Sequence, residues 1–440
     1  MSVQQLTYPR PEKGSGFDLT IPRSPIVDAY RQSTQGSEVL HLRAEQALAG
    51  GNSRQVSYWS PHPIAIASAD GAHLTDVDGR RYIDFTNNYT SLVHGHAYPP
   101  ILETVDRQIK NGTVWSAQNE HQIDLAELLV ERIPAIDKVR FTNSGTEASN
   151  LALSIARAVT KRHKILMSRF GYHGSLTETE TGSFNHDYPA TTYLGEYNNA
   201  ESFENILEHH GEEIAAVFLE PVLGSAGIIA ADREFLLRVK EAAHKAGALF
   251  ILDEVVTFRL HEGGRQKALG IEADLTMLGK LIGGGFPVGA VGGPDDLMDV
   301  FQSSDLRTYH SGTFNGNPVT TAAGVVAVRD LTQKSIDEME KLAERLKNGL
   351  AAAAQKVNLP FCVSHVGSLM NVFFSNEIPQ AALMREDQAA MSRFHIAALN
   401  QGLFIAGRGL MAMSTIMDEA LIDEAIDRAA VAMSDVAAEL

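Results

Sequence analysis

At 440 residues the chain exceeds what one small domain requires, so two domains, or one large and one small, is the expected organisation. Hydrophobic residues at 44% and charged residues at 21% allow a sizeable core of the ordinary soluble kind, and the net charge of −17 argues against a nucleic-acid partner. The single cysteine, Cys362, excludes an internal disulfide framework and CxxC metal knuckles and fits a reducing compartment.

No apolar run approaches the length of a bilayer span. The first residues, "MSVQQLTYPRPEKGSGFDLTIPRSP", lack the apolar centre of a signal peptide and carry Glu12 and Asp18. A cytoplasmic protein with a loosely structured N-terminal arm is therefore expected. Residues 62–85, "HPIAIASADGAHLTDVDGRRYIDF", predict antiparallel strands joined by Asp-Gly turns at 70–71 and 78–79.

Further along, short apolar runs rich in β-branched residues alternate with amphipathic ones. Residues 138–145 predict a strand and a glycine turn, followed by a helix over 146–162. Strands are expected at 163–169, 214–221 and 248–255, with a helix over 232–247, and two more apolar runs follow at 274–280 and 287–293. This alternation predicts βαβ crossovers and a mostly parallel sheet covered on both faces. Beyond about residue 330 the pattern becomes a smaller α+β unit: a long helix over 335–356, short strands in 369–375 and 403–409, and a terminal helix over 419–440.

Five stretches carry chemistry. In "MLGKLIGGGFPVGAVGG" (277–293), Lys280 stands in otherwise core-like sequence. A lysine there is either salt-bridged and snorkelling or a Schiff-base nucleophile made reactive by desolvation. "FTNSGTEASN" (141–150) opens a helix with Ser144, Gly145 and Thr146, which is either an ordinary N-cap or an anion site. "FILDEVVTF" (250–258) sets Asp253 and Glu254 at the end of an apolar strand, where ligands of open α/β sheets bind. A carboxylate there caps a helix, ligates a metal or pairs with a pyridinium nitrogen. No His/Asp/Glu cluster at ligand spacing accompanies it, so no metal is expected. "RFGYHG" (169–174) offers Tyr172 and His173 as an aromatic face or as core, and "YHSGTFNGNP" (309–318) suits a donor-rich turn or a plain loop.

In this order, "NSGTEA", "GYHG", "EPV.G", "LDEV", "LGKxIGGGxPVGA" and "GTFNGNP" resemble the class III aminotransferases, pyridoxal 5'-phosphate enzymes of fold type I, from about Ala44 to the C-terminus. The resemblance implies a large domain with a mostly parallel seven-stranded sheet flanked by helices. A small α+β domain, built from N- and C-terminal segments, would complete the chain. The implied divisions are an arm and part of the small domain over 1–85, the cofactor-binding domain over 86–335, and the rest of the small domain over 336–440.

It further implies that Lys280 holds the cofactor as an internal aldimine, with the glycines behind it letting backbone approach the site. Ser144, Gly145 and Thr146 would bind the phosphate, Tyr172 would stack on the ring, and Val255 would pack on its other face. Asp253 would pair with the pyridine nitrogen and Glu220 would sit near the ring hydroxyl. Thr313 would reach the phosphate of the neighbouring subunit, which implies a homodimer with shared active sites.

Within the class, residues 49–85 and 277–293 look most like glutamate-1-semialdehyde aminomutases and β-amino-acid (β-phenylalanine) aminotransferases. Arg54, in "GGNSR", matches the substrate-carboxylate arginine of the latter. Arg408, in "LFIAGRGLMAMS", matches their movable arginine for the keto acid's carboxylate. A planar guanidinium binds a carboxylate through two parallel hydrogen bonds, and a mobile one lets a single site take a charged acceptor and an apolar donor. The aminomutase pattern has no counterpart of Arg408. The resemblance thus implies transfer of an amino group from a β-amino acid or related amine to pyruvate or 2-oxoglutarate by a ping-pong mechanism. An aminomutase and a β-elimination lyase are the alternatives on the same scaffold. A non-catalytic cofactor sensor would need a DNA-binding or partner module, which the acidic sequence does not supply. Pocket-lining stretches such as "NNYTSLVHGH" (87–96) are readable as positions and not as shapes.

Overall fold

The apolar runs become sixteen short strands in the computed structural model, which describes residues 22–176, 191–302, 307–379 and 388–440. Most of the expected N-terminal arm lies outside the described residues. The first helix, Pro25–Ser33, starts behind Ser24, whose hydroxyl accepts from the Val27 N–H. Strands β1 (Ile66–Asp70), β2 (His73–Asp76) and β3 (Arg81–Asp84) form the expected antiparallel meander, with turns at Asp70-Gly71 and Asp78-Gly79.

The large sheet is built from β4 (Lys138–Thr142), β5 (Lys164–Ser168), β6 (Thr192–Gly195), β7 (Ile214–Leu219), β10 (Leu249–Asp253), β11 (Leu275–Gly279) and β12 (Gly289–Gly293). A small hairpin, β8 (Val222–Leu223) and β9 (Ile229–Ala230), follows β7. The strand order is β4-β12-β11-β10-β7-β5-β6. Strands β11, β10, β7, β5 and β6 run parallel, and only β12 runs antiparallel to both its neighbours.

Alternation along each strand explains why both faces are covered. Met167, Phe218, Ile251 and Met277 pack under the helix Gly145–Thr160. Their neighbours Leu166, Val217, Leu219, Phe250 and Leu252 pack under the helices Ala200–His210 and Arg233–Ala246.

The C-terminal strands β13 (Cys362–Val366), β14 (Leu369–Phe373) and β16 (Leu410–Ala412) make a separate antiparallel sheet. Strand β15 (Leu403–Phe404) instead joins β3 in parallel, with Leu403 opposite Ile83. The end of the chain is thereby sewn to its beginning. Two long helices back this region. Gln333–Lys356 opens with a capping box at Thr332 and Ser335, and Glu419–Glu439 opens with Asp418 accepting from the Leu421 N–H. Among the described residues no helix is long and apolar enough to cross a membrane.

Candidate active site

Strands β10, β7 and β5 are adjacent and parallel, so the residues just past their carboxyl ends meet. Asp253, the last residue of β10, is buried. Its Oδ1 accepts from the Val255 N–H at 3.0 Å and its Oδ2 lies 2.8 Å from His173 Nδ1. Burial alone pushes the His173 imidazole down, but the hydrogen bond and charge of Asp253, aided by Glu220, outweigh it and hold the imidazole above its usual range. Glu220 follows β7, and its carboxylate accepts from the Tyr172 N–H and the Gly224 N–H, both at 2.9 Å. Burial pushes its carboxyl up to about 7, with Asp253 adding to the rise and His173 and the two N–H donors opposing it. Tyr172 is 49% exposed beside this buried acid cluster.

Ser144 is the N-cap of the helix Gly145–Thr160, its hydroxyl accepting from the Glu147 N–H at 3.1 Å. The N–H groups of Gly145 and Thr146 head that helix and donate to no protein acceptor among the described residues. Thr146 Oγ1 accepts from the Ser175 N–H at 3.2 Å, which fastens the segment after Tyr172 to the helix start. Val255 lies between this helix and Lys280. A Cβ added at Gly145 or at Gly279 would stand 3.4 Å from Val255 Cγ1.

Lys280 directly follows β11, whose five residues are all buried. Its backbone is left-handed, with φ 50, a conformation that costs energy for a side chain with a Cβ and is concentrated at functional sites. Lys280 is half-buried. Burial pulls its pKa down to about 8; Asp253 and Glu220 oppose this, and Arg408 and Arg54 add to it. The glycines behind it allow the close approach expected of them, and at Gly283 and Gly284 the neighbours are core atoms. Gly284 has φ +58, and a Cβ there would lie 2.6 Å from the Ala323 carbonyl oxygen; one at Gly283 would lie 2.6 Å from Val288 Cγ1. They let the turn Lys280–Gly283 press on the helix Pro318–Asp330 and on Val288, just before β12, so these close contacts are within the core.

Arg54 and Arg408 come together over one ring. The Arg54 guanidinium lies 5.1 Å from the Tyr89 centroid and that of Arg408 lies 5.6 Å from it. Arg54 Nη1 also donates to Asn88 Oδ1 at 2.6 Å. Arg408 sits in a tight turn closed by Gly409 N–H to the Ala406 carbonyl at 2.8 Å, and its own carbonyl accepts from Asn371 Nδ2 at 3.2 Å. Thr313, by contrast, is exposed. Among the described residues it makes no hydrogen bond with the other candidate residues, although its loop is tied to the strand-end region by Asn143 Nδ2 donating to Asn315 Oδ1 at 2.7 Å.

Two residues of this site have contacts that the sequence did not assign, His173 being legible there only as part of an aromatic face or of the core. His173 is visible in "GYHG", but only the fold shows that it faces Asp253. Tyr89 lies in a turn where Asn87, Asn88, Tyr89 and Thr90 all have positive φ, from 46 to 75. Asparagine tolerates that region, so the Asn-Asn pair was the available signal. No group of His, Cys, Asp and Glu among the described residues gathers as a metal site.

Residues 55–436 match the family model for class III aminotransferases, and the chain belongs to that family. It is 36% identical over 409 residues to the β-phenylalanine transaminase of Variovorax paradoxus, covering 90% of this chain and 93% of that one. It is also 36% identical over 387 residues to the glutamate-1-semialdehyde 2,1-aminomutase of Methanococcus maripaludis, covering 84% and 90%. The crystal structure of an omega-transaminase from Sphaerobacter thermophilus superposes with a TM-score of 0.88 at 37% identity, covering 93% and 99%. The protein is a transaminase of fold type I that depends on pyridoxal 5'-phosphate, from a family that works on amine donors and keto acids.

The residues present fit that cofactor. Two donor groups at a helix N-terminus suit a phosphate, and Val255 bounds a cradle left by two glycines. A buried, oriented carboxylate suits a ring nitrogen, and the lysine amine has a depressed pKa.

Proposed function

We propose that the enzyme moves an amino group from a β-amino acid or related amine to pyruvate or 2-oxoglutarate in a ping-pong cycle, with Arg54 receiving the donor's carboxylate and Arg408 the acceptor's. Bound pyridoxal 5'-phosphate supplies an aldehyde that condenses with amines and a ring that takes up an electron pair. Lys280 is the group that carries the cofactor and, once released, moves the proton at the substrate's reacting carbon. Asp253, held by His173, pairs with the ring nitrogen and favours its protonated form. Ser144, Gly145 and Thr146 hold the phosphate, Tyr172 and Val255 enclose the ring, and Glu220 lies by its hydroxyl.

We also assign Thr313 to the phosphate site of a second subunit in a homodimer. The exposure of Thr313, and of Tyr309 at 81% and Phe314 at 57% in the same loop, supports that reading. A cytoplasmic location fits a sequence with a single cysteine.

The observation that carries the substrate assignment is the pair of guanidinium groups on the single Tyr89 ring, both acting electrostatically on Lys280. Losing one charge-assisted contact made by two parallel hydrogen bonds should cost about 2–3 kcal/mol, or roughly two orders of magnitude in kcat/KM for the affected substrate. Arg408→Ala should therefore damage the keto-acid half-reaction and spare a hydrophobic β-amino acid. Arg54→Ala should do the reverse and spare an amine that has no carboxylate. Stopped-flow absorbance of the cofactor resolves the two halves, and equal loss of both in both variants would defeat the assignment. The equally similar aminomutase relative supports a second reading, in which the amine stays within one substrate. Turnover without any added keto acid would favour it.

A further inference from the structure

Arg259 is the largest wholly buried side chain among the described residues, and no carboxylate there pairs with it. Burial pulls its pKa down to about 9, so it remains a cation at neutral pH. A buried cation without a counter-ion is costly. Its donors go to four segments distant in sequence, among them the helix Gln333–Lys356, where Nη2 lies 3.7 Å from Met339 Sδ. Nη1 donates to the Thr90 carbonyl at 3.1 Å, Nε to Ser368 Oγ at 3.1 Å, and Nη2 to the Met413 carbonyl.

Each of the three oxygen acceptors leads to the proposed substrate side of the site. Thr90 ends the left-handed turn that carries Tyr89. Met413 follows β16, and the turn at the other end of β16 holds Arg408. Ser368 precedes β14, which pairs with β16 and whose Asn371 side chain donates to the Arg408 carbonyl. Arg259 itself sits in the short turn Thr257–Leu260, on the segment that leaves β10 through Asp253. One planar fork thus fastens the Tyr89 turn and the Arg408 ladder to the cofactor-side strand end.

We propose that Arg259 is a positioning residue for the keto acid, setting Tyr89 and Arg408 in register with the Asp253 strand end without touching substrate. The inference rests on the reading of Arg408 as the acceptor's carboxylate partner. A lysine head is compact and cannot span acceptors that the guanidinium fork spans.

The test uses holoenzyme with Arg259→Lys and Arg259→Met, each alone and combined with Arg408→Ala. Arg259→Lys should raise the keto-acid KM about tenfold, while kcat and the KM of an amine without a carboxylate stay within about twofold. Arg259→Met should be worse, so that the lysine variant is a partial rescue. In the Arg408→Ala background neither should raise the keto-acid KM further. Amide hydrogen exchange should quicken at residues 88–92 and 410–414.

Parallel loss of kcat and both KM values, or multiplicative effects in the double variants, would overturn the proposal. If Arg408→Ala alone leaves the keto-acid KM unchanged, the acceptor reading is the one that fails. Unchanged exchange in Arg259→Lys then rejects the positioning role by itself. Should Arg259→Met not fold, the lysine variant carries each of these outcomes.

Discussion

The two sides of the candidate site are built in different ways. On the proposed cofactor side, Asp253, Glu220, His173, Ser144 and Lys280 each stand at or past the end of a strand in one sheet, and contacts from the segment after β5 reach the ends of both β7 and β10. On the substrate side, Arg54, Tyr89 and Arg408 come from three separate stretches. A left-handed turn, the pairing of β15 with β3, and the buried Arg259 gather them. On the proposed function, the first construction, at the ends of one sheet, carries the chemistry. The second, gathered from separate stretches, carries the choice of substrate. Variants on the cofactor side should affect all substrates alike, whereas variants on the substrate side should discriminate between them.

The largest effect belongs to Lys280. Lys280→Ala should lower turnover by more than about a thousandfold with every donor and acceptor, because on the proposed function Lys280 is the amine that carries the cofactor and moves the proton. The variant should still bind pyridoxal 5'-phosphate noncovalently. Borohydride treatment followed by denaturing gel filtration should leave cofactor on the wild type and none on the variant. Near-normal activity in Lys280→Ala would remove the central assignment.

A middle-sized effect is expected at His173. His173→Phe leaves Asp253 without its 2.8 Å partner in a buried setting, where a lost hydrogen bond to a charged group costs about 1–3 kcal/mol. The variant should lose roughly one to two orders of magnitude in kcat for β-amino acids and simple amines equally, with keto-acid KM little changed. A selective loss for one substrate would erase the distinction between the two sides.

How much was legible in the sequence follows the same division. The amphipathic helices at Gly145–Thr160, Arg233–Ala246, Gln333–Lys356 and Glu419–Glu439 sit where periodicity and caps put them. The mostly parallel sheet follows from the alternation of strand and helix. Strand-end motifs are readable because a strand, a turn and a helix start fix a side chain within a few residues. The turn at Asn87–Thr90 is not readable this way, since consecutive left-handed residues go against backbone preference and persist only under tertiary restraint. Asp84 supplies part of that restraint by accepting from the Thr86 and Asn87 N–H groups at 2.8 and 3.1 Å, and Arg259 holds the far end at Thr90. The glycines after Lys280 were legible as a close approach of backbone, but what they approach, Ala323 and Val288, emerges only from the packing.

The smallest effect joins the two sides. Arg408 and Arg54 both lower the Lys280 pKa, while Asp253 and Glu220 raise it, and burial sets the net value at about 8. Only the neutral amine attacks an aldehyde, so covalent capture of pyridoxal 5'-phosphate by the apo protein should rise with pH and level off above about pH 8. An ordinary lysine, with a pKa near 10.5, would keep gaining rate well beyond that point. In Arg408→Ala the guanidinium that repels the ammonium is gone. The charged form of Lys280 is then favoured, its pKa moves up, and the capture curve shifts to higher pH. Glu220→Gln removes an attraction instead and should shift the curve to lower pH. Stopped-flow absorbance on mixing apo protein with cofactor, repeated from about pH 6 to pH 10, measures both shifts. Opposite displacements of the midpoint would mean that the substrate-side arginines tune the lysine through space. An unmoved midpoint in Arg408→Ala would mean that the two sides are electrostatically independent, and Lys280 would owe its depressed pKa to burial alone.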